Sequence, residues 1–237
     1  MSIPKQDEFI QRQQLHEIVA ERLREAILTG KLKPGEFIRQ DHIAKEYGVS
    51  PVTVREALKD LVSESLVEHI PYRGVQVVKY SIDDVADIFA LRSFLEARAA
   101  AATAESVSLE TIEKLTNLAE QMKVLFTNNN MSLYRELNQQ FHELIYLSSK
   151  RVYLIQNLDK IWSFSPTMIQ GNFPQSQVQL YQDLDRRDYL EHLEIIKALA
   201  NHDSVAAEAC MKKHIDQAGQ DLLRNLTSTK EVIKQGK

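Results

Sequence analysis

The chain has 237 residues, 43% of them hydrophobic and 26% charged, with a formal charge of −4: an ordinary globular composition, long enough for two domains. No apolar run approaches a membrane span, and the opening MSIPKQDEF has no signal-peptide core, so a cytoplasmic protein with no membrane partner is expected. Cys210 is the single cysteine, which excludes an internal disulfide and any multi-cysteine metal site.

Residues 1–11 are polar and expected to fray. From Arg12 onward, Leu15, Ile18, Val19, Leu23, Ala26 and Ile27 recur at helical spacing as far as Thr29-Gly30, where glycine can take the left-handed cap. KLKPGEFI reads as a turn around Pro34-Gly35. A short helix follows, with Ile43, Ala44 and Tyr47 on one face and Gly48 as its stop. Ser50 is an N-cap for the next helix, Pro51 takes the first position, where a missing N–H is harmless, and Val54, Ala57, Leu58 and Leu61 make the buried stripe. Thr53, Arg55 and Lys59 fall on the opposite face, the side that a DNA major groove would meet. After Ser65 the period drops to two: LVEHI and VQVV alternate about a PYRG turn, a two-stranded wing. Residues 1–79 therefore read as a winged helix-turn-helix domain.

Ser81 and Asp84 form a capping signal that opens a second domain, 80–237, in which no strand pattern occurs. Helices are expected over about 83–105, 109–126, 131–148, 152–169, 177–200 and 204–226, with GNFP at 171–174 as a break. The alanine-rich stretch from 97 to 102 permits close helix packing. The fold class is mainly α: an N-terminal winged helix-turn-helix with a small β-hairpin wing, then an all-α bundle.

RLREAILTGKLKPGEFI, IAKEYGVSPVTVREALKDLVSESLV and the YRG wing tip together resemble the N-terminal domain of the GntR family of bacterial transcriptional regulators, over roughly residues 12–78. The resemblance implies operator DNA as partner and places Ser50, Val52, Thr53, Arg55, Arg73 and Gly74 at DNA-contacting positions. Pro51 stands where the family commonly has an arginine, so the operator is not to be copied from relatives. Arg55 also suits the task on its own chemistry, since an arginine near a recognition-helix N-terminus can grip guanine O6 and N7; its plainer role is to pair with Glu56 or Asp60. Residues 1–80 hold 12 basic and 12 acidic residues, so all the net negative charge lies after them. A neutral module gains affinity by neutralising phosphates with two copies together, and a homodimer is expected.

Asn138 and His142 are four apart and share a helix face; His192 and His214 lie on the last two helices, which a short connection folds antiparallel. Imidazoles with one oxygen ligand suit zinc, nickel, iron or manganese, though each histidine taken singly is as well explained as a partly buried core residue. LRSFLE, NQQFHELI, Glu191-His192 and MKKHI resemble the ligand-binding domain of the FadR subfamily in its FCD version. That resemblance implies a divalent transition metal on Asn138, His142, His192 and His214, with Asn138 in place of an aspartate, and Arg92 clamping a small carboxylate effector. Arg92 alternatively pairs with Glu96, four residues on. Trp162, Phe164 and Tyr134 read as core aromatics, Cys210 as a small core residue, and His16, His42, His69 and His202 have no evident partners. The expected function is a ligand-responsive DNA-binding regulator, a repressor and not an enzyme. The alternatives are a metal-dependent hydrolase, against which stands the lack of a placed general base, and a dimeric DNA-binding protein without an effector.

Overall fold

The computed structural model describes residues 6–128, 130–166 and 186–235; GNFP, 167–169 and 177–185 lie outside them. The described residues divide into two compact units, 6–80 with the end of a later helix at 163–166, and 81–162 with 186–235.

The first unit holds α1 (Gln6–Leu28), β1 (Phe37–Ile38), α2 (Gln40–Tyr47), α3 (Pro51–Ser63), β2 (Val67–Ile70) and β3 (Gly74–Val77). Helix α1 begins earlier than periodicity predicts: residues 6–11 lack an apolar stripe but contain no glycine or proline to stop a helix. Its buried side is Val19, Ala20, Leu23 and Ile27, whereas Leu15 and Ile18 are 42% and 51% exposed. Gly48 closes α2 at φ 66°, and Val49 N–H returns to Ala44 O at 3.0 Å. A left-handed residue is needed there, and glycine takes that conformation without strain. Ser50 caps α3, its Oγ accepting from Thr53 N–H at 3.1 Å.

The sheet has three strands, ordered β1-β3-β2, all antiparallel. The periodicity predicts two, with KLKPGEFI as a turn alone. Its last two residues pair as Phe37↔Gln76 and Ile38↔Val75, a ladder too short for any periodicity to reveal. β2 and β3 run in register from Val67↔Val77 to Ile70↔Gly74, joined by a loop with Tyr72 at φ 62°. The alternation buries Val67, Val75 and Val77 against Leu23, Val54 and Leu58. Each such side chain contributes about 1.5–3 kcal/mol by leaving water.

The second unit is helical among the described residues: α4 (Ile82–Ala104), α5 (Leu109–Asn128), α6 (Met131–Ser148), α7 (Val152–Pro166), α8 (Arg186–Ala200) and α9 (Ser204–Gln235). The capping box forms, Asp84 N–H donating to Ser81 Oγ at 3.1 Å and Ser81 N–H to Asp84 Oδ2 at 2.7 Å. Helix α4 packs along α9 and also against α6 and α8, while α5 packs on α6 and α8. Ala97, Ala99, Ala100 and Ala104 are buried, and Gly219 of α9 lies where an added Cβ would sit 3.0 Å from the Phe89 side chain. His202 finds a partner that the sequence did not suggest: its Nδ1 lies 2.9 Å from Ala104 O at the end of α4. Among the described residues, no helix is long and apolar enough to cross a membrane.

Candidate nucleic-acid interface and candidate metal centre

On α3, Ser50, Val52 and Arg55 are exposed, Val52 at 60%. Thr53 departs from the opposite-face expectation. It is buried, with Oγ1 2.8 Å from Ser50 Oγ, because the third residue after an N-cap turns toward the capping side chain. Neither candidate partner holds Arg55: Glu56 takes Lys59 at 2.9 Å and Asp60 lies 3.4 Å from His16. At the wing tip Arg73 and Gly74 are exposed, and the Arg73 guanidinium lies 4.8 Å over the Phe37 ring. Tyr72, passed over in the sequence, is fully exposed beside them. Arg39, Lys45 and Arg73 gather around a cleft between α2 and the wing, where cations can meet a phosphate backbone.

In the second unit, four-residue spacing puts Tyr134, Asn138 and His142 on one face of α6, and Asp188 and His192 on one face of α8; α9 supplies His214. His142, His192 and His214 are buried, and one nitrogen from each lies within 4.8 Å of the others. The His142 and His214 rings stack at 5.3 Å between centroids. Asn138 is half-buried one turn before His142. The acidic groups nearest the rings are Glu96, Glu191 and Asp188, none of which the sequence pattern places in the site. Glu96 Oε2 is 2.7 Å from His142 Nδ1, and Glu191 Oε2 is 2.9 Å from His214 Nδ1. Asp188 lies between two rings, 3.7 Å from His214 Nδ1 and 4.0 Å from His192 Nδ1, and accepts the Tyr134 hydroxyl. Arg92 is buried, its Nε donating to Glu96 Oε1 at 2.7 Å and its guanidinium 4.1 Å over Trp162. Trp162 also faces His142, at 5.5 Å between ring centroids. Tyr134 and Trp162, read as plain core from the sequence, are therefore part of the site; the Phe164 side chain lies outside the described residues. The signal for Tyr134 was present in its spacing of four from Asn138.

Burial sets the ionisation of this cluster. It pushes the His192 imidazole down to about 3 and lowers His142, so both rings are neutral at physiological pH. Burial alone would raise Glu96, but the Arg92 guanidinium and His142 outweigh it and hold the carboxyl at about 2. Asp188 is likewise lowered, burial being overcome by His192 and His214. His214 is raised, because the Glu191 hydrogen bond and Asp188 exceed the effect of burial. His192 Nε2 is buried with no hydrogen-bond partner among the described residues. Neutral imidazoles, ionised carboxylates and an unpartnered ring nitrogen fit a divalent ion with nitrogen and oxygen ligands. The 4.8 Å bound is wider than the roughly 3.3 Å between two nitrogens of one tetrahedral ion, so the rings would close slightly around it.

Comparison with known proteins bears on both regions. Residues 15–77 match the family model of bacterial regulatory proteins, gntR family, and residues 87–217 match the FCD domain. The chain is 31% identical over 124 residues to YdhC, an uncharacterized HTH-type transcriptional regulator of Bacillus subtilis, covering 52% of this chain and about half, 55%, of that protein. Against the gluconate operon transcriptional repressor of the same organism it is 26% identical over 223 residues, covering 92% of this chain and 88% of the relative. The solved structure of Escherichia coli McbR/YncC superposes with a TM-score of 0.66 at 22% identity, covering 90% of this chain and 98% of that one, a likeness of fold.

Proposed function

Because the chain belongs to the GntR family of bacterial regulatory proteins and carries its FCD domain, we propose that it is a homodimeric transcriptional repressor whose helical domain binds a small carboxylate at a divalent transition metal. One observation carries the sensor half of this reading: three buried imidazoles from α6, α8 and α9 converge, and two of them, at His142 Nδ1 and His192 Nε2, have a buried nitrogen without a hydrogen-bond partner among the described residues. Burying such groups is unfavourable unless something binds them.

His142, His192 and His214 would hold the ion, with Asn138 offering a neutral amide oxygen that is a weaker ligand than a carboxylate. A bound divalent ion supplies a Lewis-acidic charge to which an organic acid can coordinate. Arg92 keeps Glu96 ionised and is assigned the effector carboxylate, the bidentate fit that guanidinium provides. On the DNA side, Ser50, Val52 and Arg55 with Arg73 and Gly74 of the wing face the operator, Arg55 reading base edges, while the buried Thr53 acts through the Ser50 cap. Two copies acting together compensate for the neutral charge of residues 1–80. The gluconate operon repressor, similar along nearly the whole chain, is named for repression, which favours that sense here. The relatives compared above are named as regulators, and no residue is assigned a chemical step. Regulation follows if the effector binds one arrangement of the dimer better than another.

Two measurements test this. Elemental analysis of untagged protein should find a transition metal that the His142→Ala/His214→Ala double variant lacks; equal content in both would remove the metal. Operator affinity should change when small carboxylates are titrated in. An acid that binds tightly while leaving operator affinity unaltered would remove the coupling.

A further inference from the structure

The three histidines share a feature that their convergence alone does not require. Each has a carboxylate nearest the same ring atom: Glu96 at His142 Nδ1, Glu191 at His214 Nδ1 and Asp188 at His192 Nδ1, at 2.7, 2.9 and 4.0 Å. The carboxylates come from unrelated places, Glu96 from α4, Asp188 from one turn before His192 and Glu191 from the residue beside it. A nitrogen that gives its proton to a carboxylate is not free for an ion, which leaves Nε2 on His214 and, once the Glu96 contact closes, on His142; at His192 the carboxylate stands 4.0 Å off and only biases the proton toward Nδ1. His192 Nε2 is buried without a hydrogen-bond partner among the described residues, as His142 Nδ1 also is. We propose that Glu96, Asp188 and Glu191 are positioning residues that hold His142, His192 and His214 as Nδ1–H tautomers and present their Nε2 atoms to the divalent ion. This assignment rests on the metal reading above.

For Glu96 and Glu191 the distances favour a positioning role over ligation, whereas Asp188, 3.7 and 4.0 Å from the ring nitrogens, is assigned that role only by its hydrogen bond from Tyr134. Two atoms bound to one ion at about 2.0–2.2 Å lie roughly 3 Å or more apart, whereas 2.7 and 2.9 Å are hydrogen-bond lengths. Glu96 and His142 touch at an angle that falls short of a hydrogen bond, and both atoms otherwise lack a partner, so a small ring rotation completes the pair. Glu96 is anchored at its back, Asp188 at the oxygen that faces His192, and Glu191 has a more distant cation beside its second oxygen. Arg92 Nε holds Glu96 Oε1 at 2.7 Å, the Tyr134 hydroxyl donates to Asp188, and Arg187 Nε lies 3.9 Å from Glu191 Oε1. An anchored carboxylate does not swing into the coordination sphere. The neutral donor set of three imidazoles and the Asn138 amide then obtains its anionic character from the layer behind it, as carboxylate–histidine–metal arrangements do.

Cobalt(II) is the probe, titrated into full-length apo-protein against a chromophoric chelator, with the visible ligand-field spectrum recorded at saturation. Wild type should bind one ion per chain. Glu191→Gln, Asp188→Asn and Glu96→Gln should keep that stoichiometry and the spectral type but lose about 10–100-fold in affinity, with Glu191→Asp recovering part of the loss. His192→Ala, the ligand control, should lose the spectrum. An amide variant that loses the spectrum as His192→Ala does would make that carboxylate a ligand and overturn the assignment, as would affinities equal to wild type. Wild type that takes up no cobalt would overturn the metal reading itself. Glu96→Gln also strips Arg92 of its partner; if it does not fold, Glu191→Gln and Asp188→Asn decide the question.

Discussion

Arg92 and Glu96 show at the scale of single residues how a local pattern and a tertiary site coincide. Their spacing of four predicts the ion pair that forms, but it does not predict burial of both groups or the packing of Trp162 and His142 around them. Removing one partner of a buried pair leaves an uncompensated charge, so Arg92→Ala should destabilise the protein by about 3–5 kcal/mol, read as a lowered denaturation midpoint. A variant as stable as wild type would mean that Glu96 is protonated or hydrated. Arg55 is the opposite case, an exposed cation whose acidic neighbours are engaged elsewhere. Arg55→Ala should reduce discrimination between operator and scrambled DNA by about 1–3 kcal/mol at constant salt. An unchanged ratio would assign Arg55 to the phosphates or to nothing. Thr53 adjoins the buried stripe, four residues before Ala57 and eight before Leu61, and its hydroxyl turns to the Ser50 cap, so the opposite face is left to Arg55 and Lys59.

Among elements, α4 was legible at its start because a capping box is written within four residues. Ser81→Ala should cost about 1 kcal/mol of stability at neutral pH. Hydrogen bonds from the Ser81 side chain and backbone hold the exposed Asp84 carboxyl below its usual value. A depressed folded pKa means that this contribution is complete above the unfolded value of about 3.9 and is lost as pH falls through the folded one. The Ser81→Ala penalty should therefore shrink in melts below about pH 4, and a penalty that grows in acid would contradict the cap. The contact of α4 with α9 had no such local signature. Gly219 reads as a weak spot in a helix until Phe89 is seen against it. Gly219→Val should destabilise by about 1–3 kcal/mol through overpacking, against a Gly219→Ser control at the same position that should lose less. Strand β1 was missed because two residues carry no period, and the start of α1 because propensity without an apolar stripe leaves no pattern.

At the scale of the whole molecule, the proposed ion would join α6, α8 and α9, so its removal should be felt as stability as well as ligand response. With free metal at a hundred times the dissociation constant, binding to the folded state alone contributes about 2.7 kcal/mol. A chelator should lower the melting temperature of the wild type and leave the His142→Ala/His214→Ala variant unmoved. Equal shifts in both would mean that the chelator acts elsewhere.

By itself the sequence determined the succession of elements apart from the missed strand β1, the Ser50 cap of α3, the Ser81 capping box and the family resemblance of both halves. Those rest on rules that act within about a turn of chain: period, cap and breaker. Only the tertiary structure decided that Thr53 is buried, that β1 joins the wing, that Tyr134 and Trp162 border the histidines and that Glu96, Asp188 and Glu191 stand behind them. The physical reason is distance along the chain. A ring on α6, one on α8 and one on α9 acquire their neighbours through helix packing, and no spacing in the sequence specifies which carboxylate faces which nitrogen.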